Sequence, residues 1–232
     1  MTIFYVAIKA GNALITDTTL EYCKKNRLTH AINNDGPFYE NPQLFDCFIT
    51  GPDHHYGMTN NISKDVAVFR DPRDQVISAY HYFNNFPDES TEYFALPSQQ
   101  YRHLTVKECI NKGLSDHKFW FYELYNTFAW MYHNLYHSDE NLLCVRLENL
   151  CDPRCYKQQW KQIADWIQWH GFEESAQKHS PCDDKFIQVD HVISKGLPNL
   201  WHTQMDSSTV EFINSKLPRY LALLERRCPL YK

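Results

Sequence analysis

The 232-residue chain carries 28 acidic and 23 basic side chains, a formal charge of −5. Without clustered Lys and Arg it is not a general nucleic-acid binder, whose affinity comes from neutralising backbone phosphates. The length suits one substantial core, and no apolar run approaches the ~20 residues that cross a bilayer.

In chain order, residues 2–8 read as an apolar strand, followed by a short loop around 9–12 and a helix over about 13–25. Short strands follow at 28–32 and 45–50. Val66 to Phe69 form an apolar, β-branched-rich run suited to a strand covered on both faces. Asp71 can then accept from the first free amides of a helix, and Pro72 fits the first helical position because its missing N–H needs no partner there. Val76, Ile77, Tyr80 and Phe83 recur at helical spacing as a core-facing stripe. Residues 93–101 are an irregular, aromatic-bearing connection, and 116–137 are apolar on most sides, as expected of a helix buried on more than one face. A strand is expected at 141–147, and a helix at 156–169 with Trp160, Ile163, Trp166 and Ile167 on one face. Residues 171–206 are polar and poor in pattern, and a final helix covers about 208–224. Strands alternating with helices indicate an α/β three-layer sandwich around a mainly parallel sheet, a single domain over residues 1–232.

None of the eight cysteines sits in a Cys-x-x-Cys pair, and Cys144 falls inside an apolar strand, where a buried free thiol is the common case. The N-terminus shows no basic region followed by an apolar stretch and cleavage site. The expectation is a cytoplasmic protein with reduced thiols.

The most informative segment is Arg70-Asp71-Pro72-Arg73-Asp74, with Ser78 and the tail Tyr80-His81-Tyr82-Phe83 behind it. Arg70 stands at the carboxyl end of a strand beside a helix N-terminus, where open α/β sheets bind anions. This segment resembles the 3′-phosphate-binding signature of PAPS-dependent sulfotransferases, an Arg-x-x-x-Asp core followed by a Ser and a Tyr-rich tail. The resemblance implies the P-loop-kinase-like sulfotransferase fold, with Arg70 and Ser78 on the 3′-phosphate of 3′-phosphoadenosine 5′-phosphosulfate (PAPS).

Lys9-Ala10-Gly11-Asn12-Ala13 resembles the family's 5′-phosphosulfate loop, Lys-Ser/Thr-Gly-Thr-Thr. A glycine there lets backbone amides approach an anion, and the resemblance implies that Lys9 stabilises charge on the bridging oxygen as the sulfuryl group leaves. Ala10, Asn12 and Ala13 replace the usual hydroxyl residues, and Leu14 stands where an adenine-stacking Trp is frequent. The nearest rival, a P-loop nucleoside kinase, needs Gly-x-x-x-x-Gly-Lys-Ser/Thr, and this loop has Lys before Gly with no hydroxyl at the required place.

Sulfuryl transfer needs a base for the acceptor proton, and neutral His suits that work. Gly51-Pro52-Asp53-His54-His55-Tyr56-Gly57 resembles the Gly-His-x-x-Tyr/Phe-Gly segment of the broader superfamily, with Pro52-Asp53 shifting the register. His55 is the favoured base and His54 the next. Zinc is the other reading of adjacent His, but neighbouring side chains usually point apart and no third ligand has suitable spacing, so no metal is expected. Ser194-Lys195-Gly196-Leu197-Pro198-Asn199-Leu200-Trp201 resembles the Arg-Lys-Gly-x-x-Gly-Asp-Trp loop that closes over the cofactor, matching at Lys195, Gly196 and Trp201. Arg146-Leu147-Glu148-Asn149-Leu150 is similar to the Tyr-Glu-Asp-Leu segment, with Leu147 in place of the Tyr that usually contacts adenine.

The ordered set implies a metal-free, in-line sulfuryl transfer from PAPS to a hydroxyl or amine, releasing the 3′,5′-bisphosphate. The second reading is a catalytically lapsed relative that binds a nucleotide or a partner. The acceptor loops at 34–44, 84–104 and 171–192 carry Phe38, Tyr39, Phe86, Tyr93 and Phe94. These suit a partly apolar small molecule, and a glycan would stack on them equally well. Thr209-Val210 matches part of a family dimer motif without its charged ends, so no oligomeric state follows.

Overall fold

The protein is described from a computed structural model, which covers residues 1–6, 10–32, 41–50, 64–85, 103–116, 131–133, 135–136, 140–179 and 200–231. Five strands form one parallel sheet: β1 (Thr2–Val6), β2 (His30–Ile32), β3 (Cys47–Thr50), β4 (Asp65–Phe69) and β5 (Leu142–Arg146), in the order β2-β3-β1-β4-β5. All four neighbouring pairs are parallel, with Tyr5 opposite Thr50 on one side of β1 and opposite Ala67 on the other. After β1 the chain moves outward through α1 (Asn12–Asn26) to β2, whereas after β4 it leads to β5 on the opposite side. The carboxyl ends of β1 and β4 therefore flank the point where the winding reverses, which is where such sheets open a ligand crevice.

Successive strand residues point to opposite faces, and both faces are covered. Ile3, Tyr5, Phe48, Ala67 and Phe69 share one core with Val76 and Ala79 of α2 (Pro72–Asn85), with Cys109 and Ile110 of α3 (Val106–Asp116), and with the C-terminal helices α8 (Ser207–Lys216) and α9 (Pro218–Arg227). Phe4, Val6, Ile49, Val66, Val68 and Val145 face the other core. It contains Ile15, Tyr22 and Cys23 of α1, Trp160, Ile163 and Ile167 of α5 (Tyr156–Ile167), and Phe172 and Ala176 of α6 (Phe172–His179). The three-layer α/β expectation holds.

Several boundaries differ from the sequence expectation. The strand expected at 141–147 stops at Arg146, and Leu147 opens a short helix, α4 (Leu147–Leu150). The single final helix is two helices, because Pro218 cannot donate to the ladder and restricts the residue before it; Leu217 is the break. The polar stretch after 171 contains α6 and a short helix α7 (Trp201–Gln204). In α6 the aromatic anchor is Phe172, wholly buried against Trp160, Trp169 and Tyr22. Helix α3 was not expected at all, although it carries a capping box: the Thr105 N–H and hydroxyl both donate to Glu108 Oε2 at 2.8 Å, and the Glu108 N–H donates back to Thr105 Oγ1 at 3.3 Å. Helix α5 ends where Gln168 turns left-handed, two residues short of the expected limit. Cys144 is only half-buried, and its thiol hydrogen-bonds with that of Cys228. Of the expected helix at 116–137, Met131 and Leu135 are buried and Tyr136 is exposed; Phe119, Trp120 and the rest of its apolar face lie outside the described residues.

Candidate nucleotide site at the winding reversal

Arg70 follows the last residue of β4 and is 2 % exposed. Asp71 begins α2 as expected. Its carbonyl accepts from Gln75 N at 3.0 Å and its Oδ1 from Arg73 N at 2.9 Å, and Pro72 occupies the first helical position. Arg73 folds back on the same carboxylate, Nε to Oδ1 at 2.8 Å and Nη2 to Oδ2 at 2.5 Å.

Behind this turn lies a buried ionic cluster that sequence reasoning missed. Arg146, the last residue of β5, donates from Nε to Glu148 Oε2 at 3.2 Å, from Nη2 to Asp71 Oδ2 at 3.4 Å and from Nη1 to Glu225 Oε1 at 2.7 Å. Glu148 takes its other bond from the Asp71 N–H at 2.8 Å, so the ends of β4 and β5 are locked to each other. Burial pushes the Glu148 carboxyl up, opposed by the charges of Arg146 and Arg70; burial also presses Arg146 down, but Glu148, Glu225 and Asp71 together hold it above its ordinary value. Both groups thus hold their protons more tightly, which favours the charged form of Arg146 and disfavours that of Glu148. The ionised pair prevails, because a guanidinium keeps its proton in proteins and both Glu148 oxygens accept hydrogen bonds. The sequence signal was present: a charged Arg-x-Glu closing an apolar strand has to be buried in pairs.

The first loop reaches the same place. Gly11 caps α1 with φ +94°, and a Cβ there would lie 2.4 Å from Leu147 Cδ1. Leu147 thus packs under the loop, and the carboxyl ends of β1, β4 and β5 converge. Gly11 provides no side-chain cap for α1, whose first turn contains no acidic residue. The leading amides of a 15-residue helix, which have no intrahelical acceptors, are therefore available to an anion. Ala10 is buried; Asn12 and Ala13 are half-buried, and Asn12 Oδ1 accepts from Thr16 Oγ1 at 3.3 Å.

Ser78 is half-buried on α2, about 9 Å along the helix axis from Pro72 at the usual rise per residue. Trp201 also meets the start of α2. Its backbone N–H donates to Asp74 Oδ1 at 3.1 Å, and Arg73 lies over its ring at 4.0 Å. Of the sequence-derived site residues, Gly11 follows β1 and Arg70 follows β4, neighbouring parallel strands of the sheet. Lys9, His54, His55, Lys195 and Gly196 lie outside the described residues, as do the acceptor-loop aromatics Phe38, Tyr39, Phe86, Tyr93 and Phe94. Among the described residues no group of three or more His, Cys, Asp or Glu is arranged to hold a metal ion, and no helix is long and apolar enough to cross a membrane.

A five-stranded parallel sheet covered on both faces, with its winding reversing between β1 and β4, defines a doubly wound α/β fold. Among solved structures, the chain is similar to mouse sulfotransferase SULT7A1 complexed with PAP, at 16% identity and TM-score 0.62 over 95% of this chain and 84% of that one. It is also similar to retinol dehydratase in complex with androsterone and inactive cofactor PAP, at 15% identity and TM-score 0.52 over 100% of this chain and 82% of that one. The fold is the sulfotransferase fold. No protein-family model matches the chain, and no curated protein matches it by sequence.

Proposed function

We propose that the protein transfers a sulfuryl group from PAPS to a hydroxyl or amine of a small-molecule acceptor. The observation that carries this reading is the buried Arg70 at the carboxyl end of β4, next in the sheet to β1, whose following helix α1 opens without a side-chain cap. The residues present fit the co-substrate. Asp71 and Glu148 would repel a phosphate, but Arg73 and Arg146 already engage the first and Arg146 the second.

In this reading Arg70 and Ser78 hold the 3′-phosphate together with Lys195 and Gly196. Lys9 and the amides of Ala10, Gly11, Asn12 and Ala13 hold the 5′ side. His55, or His54 if the register is shifted, takes the acceptor proton as its oxygen attacks sulfur. The sulfur–oxygen bond to the nucleotide breaks as the new one forms, and fixed positive charge and amide dipoles stabilise the transition state without a metal. Both similar proteins were solved in complex with PAP and one of them also with androsterone, which supports a nucleotide and a small apolar acceptor here.

The test is calorimetric titration with adenosine 3′,5′-bisphosphate, paired with labelled PAPS and a panel of acceptors. Arg70→Ala is expected to cost on the order of 2–4 kcal/mol of bisphosphate affinity, because a charge-assisted pair is lost and a desolvated phosphate is left behind. Affinity unchanged within about threefold removes Arg70 from the site. The buried Ala10 and the half-buried Ala13, standing where hydroxyls are usual, favour one second reading, a lapsed relative. Tight bisphosphate binding with no turnover on any acceptor selects it.

A further inference from the structure

Phe69 opposite Arg146 is the last rung between β4 and β5, so the Arg70 carbonyl lies beyond the ladder. That carbonyl is held from the opposite end of the chain. Tyr220 of α9 donates its phenol to it at 3.2 Å, and the same hydroxyl lies 3.7 Å from Met131 Sδ. Tyr220 is 2 % exposed, and burial first, then Glu148 and Asp71, pushes its phenol well above the ordinary value, so it remains a donor. One turn and a half further along α9, Glu225 takes Arg146 Nη1 at 2.7 Å. The C-terminal helix therefore touches both strand ends that build the anion site: the main chain of Arg70 and the side chain of Arg146.

We propose that Tyr220 is a positioning residue for anion binding, its phenol fixing the Arg70 main chain and so the direction in which the guanidinium leaves the strand. A guanidinium engages phosphate through paired, directional bonds, so a small rotation of its root misaligns both. The inference rests on the nucleotide reading above, and it assigns a role to a residue outside every motif of that reading.

The experiment compares Tyr220→Phe with Tyr22→Phe, each made alone, and Tyr220→Phe also in an Arg70→Ala background. Tyr22 provides a matched control: its hydroxyl donates to the His170 carbonyl at 3.2 Å, also from a helix to backbone, on the other face of the sheet. Each protein is titrated with adenosine 3′,5′-bisphosphate up to millimolar concentration, and its thermal midpoint is recorded. Tyr220→Phe is expected to weaken binding about three- to tenfold, the worth of one buried hydrogen bond, with Tyr22→Phe within about twofold of wild type. In the Arg70→Ala background Tyr220→Phe should add less than about twofold, because its effect passes through the missing guanidinium. A full, additive loss in that background would show a merely structural role, as would equal losses in the two single variants. Binding by Tyr220→Phe indistinguishable from wild type overturns the inference and leaves the nucleotide reading standing. Failure of the wild-type protein to bind the bisphosphate overturns both.

Discussion

Gly11→Ala perturbs the site through its backbone. At φ +94° an L side chain crowds its own carbonyl, which costs about 1–2 kcal/mol. The new methyl would also meet Leu147 Cδ1 at 2.4 Å, and Leu147 is 2 % exposed, with little room to retreat. Overpacking of this kind adds about 1–3 kcal/mol, less whatever Leu147 recovers by shifting its far end. The sum is roughly 2–4 kcal/mol, and for a chain of this length it should lower the thermal midpoint by about 5–15 °C. Urea unfolding followed by circular dichroism measures the free energy directly. Leu147→Ala removes the collision but not the strain. Alone it should cost about 2–5 kcal/mol, and combined with Gly11→Ala it should cost less than the sum by about 1–2 kcal/mol, since the alanine methyl enters the space that Leu147 vacates. A Gly11→Ala variant within about 0.5 kcal/mol of wild type, or strict additivity in the double variant, refutes the close approach of the first loop to the end of β5.

Three further outcomes are expected. Arg146→Met strips the buried Glu148 and Asp71 of their shared cation and should destabilise the protein by about 3–5 kcal/mol, whereas Arg146→Met with Glu148→Leu should recover part of that in urea unfolding; a neutral single variant contradicts the buried cluster. Asp206 caps α8, accepting from Ser208 Oγ and the Thr209 N–H, which bring its carboxyl down to about 2. A depressed folded value means stability fully present above the unfolded value near 3.8 and lost as pH falls toward about 2, so the gap between wild type and Asp206→Ala should be constant above about pH 5 and shrink below it. Burial raises the Cys109 thiol to about 12, so iodoacetamide at pH 8 should leave Cys109 unmodified in the native protein and label it in urea; rapid native labelling, located by peptide mass, would contradict its burial.

The sheet and the candidate site were legible to different depths. Val66 to Phe69, Asp71 and Pro72 announced a buried strand, a cap and a helix start, because each of those signals is written in neighbouring residues and acts over one or two turns. The same locality placed β1 and α1 and the glycine between them, while the capping box at Thr105 and Glu108 was present in the sequence and no helix was read from it. The order β2-β3-β1-β4-β5 and the meeting of three strand ends followed no local rule, since which strands become neighbours depends on how both faces of the sheet are covered. Arg146 and Glu148 drew notice only as part of a family-like segment, and Glu225 and Tyr220 belonged to no motif. What the sequence determined by itself was the alternation of elements and the place of Arg70 between a buried strand and a capped helix, through short-range sterics and hydrogen bonding. Only the tertiary structure decided which buried charges compensate one another and which residue holds Arg70 in place, because a contact such as Tyr220 to Arg70, 150 residues apart, exists only once the chain has closed around its core.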